Sequence, residues 1–248
     1  MWVVEDCFFA GGIAVAGAVL AATSRVRVGI GILPAVLRNP ALTAMELGAL
    51  ARMWPGRLVA GIGHGVGAWM EQVGARPPSR LAALEETLEV VRALLAGQRV
   101  TRHGRHVHLD DVVLDWPPGQ APPVLAGVVG PRSVEVAARA ADGMVLPEGS
   151  PPAFVADVRA RLGPAARLVV YVWAAPTLDA VRAAAEGESL ADAGDARRPF
   201  FADGDLLPQI AVTDATGIAT FADAGADTVV LVPPPDQLLA LESFDLRR

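Results

Sequence analysis

The sequence contains no lysine; all 21 of its basic residues are arginines. A chain without lysine cannot form the Schiff base of an aldolase or of pyridoxal chemistry, and it lacks the lysine with which a P-loop grips phosphate. Cysteine occurs once, at Cys7, which excludes an internal disulfide and a cysteine-rich zinc site and fits a reducing, cytoplasmic setting. Basic charge is scarce as well. With 27 acidic residues the net charge is -6, so the surface lacks the positive field that a nucleic-acid backbone needs. A membrane-length apolar run is also missing. The longest candidate, Phe8 to Ala22, falls short of the roughly 20 residues that span a bilayer. It follows Glu5 and Asp6, where an export signal would carry positive charge, and it reads as a helix buried in a globular protein.

What is present is apolar and regular. The 248 residues are 52% hydrophobic, ample for the core of one large α/β domain. Short β-branched runs alternate with Ala/Leu-rich helical stretches. The strand candidates are Trp2–Asp6, Val26–Ile32, Leu58–Gly63, Pro123–Gly127, Met144–Leu146, Leu168–Trp173 and Thr228–Val232. Most are continuous apolar runs, as parallel strands covered by helices require. Helices open at Asn39-Pro40, where Asn39 can cap and Pro40 presets the first turn, and at Gly130-Pro131.

No change of composition marks a linker, so residues 1–248 read as a single domain with two excursions, about 64–122 and 177–209. The first holds a long helix, Arg80–Ala96, and a hairpin over Val100–Leu109 turning at His103-Gly104. The second holds a polar stretch, Gly187–Asp205, and is followed by a helix over Ile210–Ala224. Long insertions of this kind usually carry specificity.

The glycines at strand ends are the most informative local feature. Gly61-Ile62-Gly63-His64-Gly65 follows a strand, yet it fails the dinucleotide fingerprint because Val66 stands where the third glycine belongs. Such an exit from a strand suits a flat ring laid against backbone, or close helix–strand packing. Further on, Gly127-Val128-Val129-Gly130-Pro131-Arg132-Ser133 ends a strand and opens a helix at once. Its free amides and helix dipole suit a phosphate, while an ordinary helix cap with a solvated arginine is the alternative. His106 and His108 share a face of the hairpin at metal-ligand spacing, but no third ligand accompanies them and no metal is assigned. Trp69 and Met70 either line a substrate pocket or pack the long helix.

Taken together, Arg57–Gly65, the strand Arg27–Pro34 followed by Arg38-Asn39-Pro40, the phosphate-type turn and the approach Ala224–Leu231 resemble the luciferase-like flavin or deazaflavin oxidoreductases. The resemblance covers nearly the whole chain and is nearest to the branch using coenzyme F420, which includes methylenetetrahydromethanopterin reductases. It implies an α/β fold of the TIM-like (β/α)8 barrel type, with the site at the carboxyl ends of the strands. It further implies a cis Gly31–Ile32 peptide behind the ring, and a cofactor site of Gly31, Ile32, Gly63, His64, Gly65, Gly127, Val128, Val129, Gly130 and Arg132. Glu5, Asp6 and His64 become the candidate catalytic residues. Glu5 and Asp6, adjacent on a strand, point to opposite sides, and Glu5 is favoured for the pocket. His64 would donate a proton or orient a reacting carbonyl or imine.

Two departures qualify the resemblance. The strand and helix that precede the equivalent of Trp2 in the family have no counterpart here, so the barrel is expected to be N-terminally incomplete, with seven parallel strands. A start set too far downstream or a truncation is the expected explanation, with a natural relic or completion by a partner as alternatives. The sugar-phosphate dehydrogenase branch carries a catalytic carboxylate where this chain has Val66, so that activity is not implied.

The implied function is hydride transfer between F420 and an organic substrate, with substrate and direction left open. The competing readings are an FMN-dependent luciferase-like monooxygenase and a non-catalytic truncated paralogue. The partners expected are a small-molecule substrate, no nucleic acid and no membrane. Family members are often dimers, which leaves a homodimer open.

Overall fold

The computed structural model describes residues 1–184, 196–200, 202 and 204–234. The chain forms two compact units, Met1–Val128 with Glu135–Met144, and Val129–Val134 with Val145–Arg248. The first unit runs through β1 (Trp2–Val3), α1 (Gly12–Ala22), β2 (Val28–Pro34), α2 (Pro40–Met53), β3 (Leu58–Gly63), α3 (Gly67–Gln72) and α4 (Arg80–Leu95). A hairpin of β4 (Val100–His103) and β5 (His108–Val112) follows, and then β6 (Val124–Gly127). Residues of α5 (Pro131–Ala140) and β7 (Gly143–Leu146) belong to both units. The second unit adds α6 (Pro152–Leu162), β8 (Arg167–Ala174), α7 (Leu178–Ala184), β9 (Ala211–Val212), α8 (Ala215–Asp223) and β10 (Thr228–Val232). Seven parallel strands, β1, β2, β3, β6, β7, β8 and β10, alternate with helices in the α/β, TIM-like fold that the sequence led us to expect.

In the first unit β1, β2, β3 and β6 pair in that order, all parallel. Val28, Ile30, Leu33, Leu58, Ala60, Ile62, Val124 and Leu125 are buried, which is why these strands read as unbroken apolar runs. Glycine at position 29 is a packing requirement. It lies opposite Trp2, and any β-carbon there would collide with the indole. The helix starts follow from their caps. Asn39 accepts from the Ala41 amide at 2.9 Å and Pro40 takes the first turn of α2, while Ser79 accepts from the Ala82 amide at 3.3 Å to open α4. Along α4, Ala83, Leu84, Leu88, Val91, Leu94 and Leu95 turn one face to the core, each larger side chain contributing about 1.5–3 kcal/mol by burial.

Two expected boundaries move. The first strand ends at Val3, not Asp6, and the apolar helix begins at Gly12, not Phe8. Phe8 and Phe9 are 65% and 78% exposed, in a turn that the Phe9 amide closes on the Asp6 carbonyl at 2.8 Å. The hairpin also opens later. His103 still pairs with His108, and Gly104 begins the turn by donating to the Val107 carbonyl at 2.9 Å.

In the second unit β8 is the central strand, buried from Leu168 to Ala174, pairing in parallel with β10 and with β9. Asp227 ties it down at one end, accepting from the Leu168 amide and the Arg159 guanidinium, both at 2.7 Å. The helix expected over Ile210–Ala224 starts five residues late. Ala211 and Val212 are drawn into strand pairing with Trp173 and Ala174, and Asp214 then caps α8 through the Gly217 amide at 2.9 Å. Most of the polar stretch Gly187–Asp205, including much of the second expected excursion, lies outside the described residues. Among the described residues no helix is long and apolar enough to cross a membrane.

Candidate active site

The carboxyl ends of β2, β3 and β6 come together in the first unit, and the backbone explains how. Gly63 at the end of β3 pairs with Gly127 at the end of β6. The Gly31–Ile32 peptide of β2 is cis, and the register between β2 and β3 shifts between Ile30 and Leu33. Between these points the Ile32 side chain lies over both glycines. A β-carbon on Gly63 would stand 2.6 Å from the Gly127 carbonyl oxygen and from Ile32 Cδ1, and one on Gly127 would strike the Ile32 side chain. The glycines therefore first make room for Ile32, and the strand tips present a floor of backbone and one aliphatic side chain. Close packing and room for a flat ring, set against each other by the sequence, are compatible here.

The loop that leaves β3 carries His64 and Gly65. Gly65 has a φ of +68°, which only glycine adopts readily, and Pro34 and Met70 crowd the place its side chain would take. Met70 is buried in packing, whereas Trp69 is half-buried. Arg80, the first residue of α4, reaches back and donates to the Gly65 carbonyl at 3.2 Å, and its backbone hydrogen-bonds His64 in return. Burial lowers the His64 pKa, the neighbouring Arg80 charge lowers it further, and the backbone bond opposes them; the result is about 4. At neutral pH His64 is therefore an uncharged, weakly basic imidazole, suited to orienting a polar group by a hydrogen bond and unsuited to donating a proton as an imidazolium.

Glu5 is placed by contacts that the sequence did not reveal. Its side chain is buried and accepts two bonds from Arg38, Nη1 to Oε1 and Nη2 to Oε2 at 2.8 Å, and a third from the Gly12 amide at 2.8 Å. Glu46 faces Arg38 Nε at 3.5 Å. The hydrogen bonds to Glu5 raise the Arg38 pKa against the burial that would lower it. Glu5 thus joins the end of β1 to the start of α1 and to the loop before α2. Asp6 is half-buried in the next turn. Arg38 had been visible only as the residue before a helix cap, and Arg80 only as a helix start. No sequence signal links them to partners 33 and 15 residues away.

In the second unit the turn before α5 is compact. The Ser133 and Val134 amides both return to the Gly130 carbonyl at 2.9 Å, and Arg161 of α6 donates to the Pro131 carbonyl at 3.0 Å. Arg132 is exposed beside them. His106 lies in the hairpin turn and His108 opens β5, and among the described residues no three His, Cys, Asp or Glu side chains cluster where a metal ion could sit.

This fold and these strand tips define a class. The sequence profile of the luciferase-like monooxygenases matches residues 1–205, and the chain belongs to that family. Among curated relatives it is 33% identical over 150 residues to an F420-dependent glucose-6-phosphate dehydrogenase of Nakamurella multipartita, a match covering 57% of this chain and 43% of that protein. It is 28% identical over 137 residues to the 5,10-methylenetetrahydromethanopterin reductase of Methanolobus tindarius, covering 55% and 42%. The matches thus span about two-fifths of the curated relatives' length. Among solved structures, an F420-dependent secondary alcohol dehydrogenase in complex with an F420-acetone adduct superposes with a TM-score of 0.79 at 22% identity, covering 94% of this chain and 84% of that one.

Proposed function

We propose that this chain is an oxidoreductase that moves a hydride between coenzyme F420 and a small organic substrate. The observation that carries the reading is the joined tips of β2, β3 and β6, where Ile32 and the backbone of Gly31, Gly63 and Gly127 make a side-chain-poor floor. Such a floor fits one face of a planar ring, and the F420-dependent relatives favour the deazaflavin. When bound, the coenzyme supplies the hydride chemistry. The chain supplies the rest. Gly31, Ile32, Gly63 and Gly65 hold the ring face, with Gly127 and Val128 beside them. Taken by itself, the turn of Val129, Gly130 and Arg132 suits a phosphate through those amides and the Arg132 side chain, because the Ser133 and Val134 amides already serve Gly130.

His64 acts as the neutral group that orients the substrate oxygen or nitrogen. Glu5, committed to Arg38 and Gly12, fixes the strand ends and does not move the proton; Asp6 is the remaining candidate for that role. The chain works in the cytoplasm on a small molecule, without nucleic acid or membrane. The FMN-dependent monooxygenase reading is favoured by the family to which the chain belongs.

Side-by-side equilibrium titrations of F420 and FMN separate the two readings. F420 should quench or shift saturably at micromolar concentration, at least tenfold tighter than FMN. Tight FMN binding with no F420 binding overturns the choice of cofactor. Binding of neither leaves a non-catalytic paralogue as the better description.

A further inference from the structure

A cavity in the first unit adjoins the carboxyl end of β2, just beyond Pro34. It measures about 390 Å³ and is walled by the loop Ala35–Pro40, the segment Gly74–Pro77, Ala83 and Thr87 of α4, and His106–His108 of the hairpin. Its lining carries two arginines, Arg38 and Arg76, and two histidines, and not one carboxylate, although acidic residues outnumber basic ones in the chain by 27 to 21. Arg76 does have an acidic neighbour, since it pairs with Glu71, but both are at least half exposed and that pair is weak by itself.

Two of the walls, the loop carrying Arg38 and the hairpin turn, are fixed from behind by carboxylates. Glu5 and Glu46 hold Arg38. Glu86, buried on α4, accepts from the amides of Arg105 at 2.8 Å and of His106 and Val107 at 2.9 Å, and so docks the hairpin turn against α4. Gly104 is glycine because the Glu86 carboxylate fills the space of its side chain. This docking brings His106 into the cavity wall with its Nε2 atom buried and lacking a hydrogen-bond partner among the described residues. A buried polar atom without a partner costs about 1–3 kcal/mol, a cost that a bound hydrogen-bonding ligand removes.

From this arrangement we propose that the cavity is a binding site for a small oxyanion, a carboxylate or phosphate group, gripped by Arg76 and His106 and by the guanidinium hydrogens of Arg38 that Glu5 leaves over. Such a ligand shares Arg38 with Glu5, so its charge is felt at the strand ends. The site does not depend on F420. It can be occupied whichever coenzyme the chain takes.

The test uses the full chain without coenzyme, titrated with succinate, inorganic phosphate and the uncharged succinamide, and followed by amide NMR shifts. Succinate or phosphate should perturb residues 35–40, 74–77 and 105–108 saturably, and whichever binds more tightly identifies the oxyanion. Succinamide should bind at least tenfold more weakly. Arg76→Gln and His106→Leu should each weaken the anion at least fivefold, while Arg167→Gln, on the amino end of β8, leaves it unchanged. Because Arg76 is exposed, its variant reports even if His106→Leu fails to fold. Equal binding of succinamide, unchanged affinity in Arg76→Gln, or shifts confined to other residues overturns the proposal. None of these outcomes bears on the F420 titration.

Discussion

Three side chains decide most of the local chemistry, and each acts by excluding something. Ile32 excludes any side chain from positions 63 and 127. Gly127→Ala should therefore destabilise the fold by about 1–3 kcal/mol through overpacking, and Ile32→Ala should recover part of that loss in the double variant. A urea-unfolding double-mutant cycle measures the coupling, and strict additivity would show that the two do not touch. Glu5 excludes itself from proton transfer by its three bonds. Glu5→Ala leaves Arg38 with only Glu46 and should cost about 3 kcal/mol of stability, a loss that a purely catalytic residue would not cause. His64 excludes its own charge. Its NMR titration should centre near pH 4. Since the folded pKa lies below the ordinary 6.5, the unfolded chain binds the proton first as pH falls. The stability associated with neutral His64 is complete above pH 6.5 and is lost between there and about pH 4. A midpoint near 6.5 would mean that the ring is solvated.

Among the elements, the hairpin of β4 and β5 illustrates how a position is inherited from a helix. Burial works against ionisation of Glu86, but the amides of His106, Val107 and Arg105 and the charge of Arg102 outweigh it and hold its carboxyl below the ordinary range. The docking it provides is present above the unfolded carboxylate pKa of about 4.5 and is lost as pH falls through the lower folded value. Glu86→Gln should speed hydrogen exchange at residues 105–107 at neutral pH by roughly tenfold or more, with the strand pairs of the first unit unaffected. Unchanged exchange there would show that the turn holds itself. The hairpin was legible from its turn at His103-Gly104, and α2 from Asn39-Pro40, because those signals are local. The late start of α8 was not. Ala211 and Val212 carry no mark that distinguishes a first helical turn from a strand, and only pairing with Trp173 and Ala174 decides it.

For the molecule as a whole, the order of strand and helix was readable because parallel strands buried on both faces need continuous apolar runs. The glycines at 63 and 127 marked the strand tips, although the sequence could not say that Ile32 would occupy the cleared space. The Glu5–Arg38 clamp and the reciprocal bonds of Arg80 with His64 and Gly65 were out of reach, because an ion pair leaves no spacing pattern when its members sit on different elements. The oxyanion cavity was hidden for the same reason: its walls come from four separate stretches of chain.

The central claim is that the ends of β2, β3 and β6 form the floor on which the coenzyme lies. Amide hydrogen exchange with and without saturating F420 tests it most directly. Protection should appear at residues 31–33, 63–65 and 127–128. Protection absent from those three segments, or confined to other parts of the chain, would contradict it.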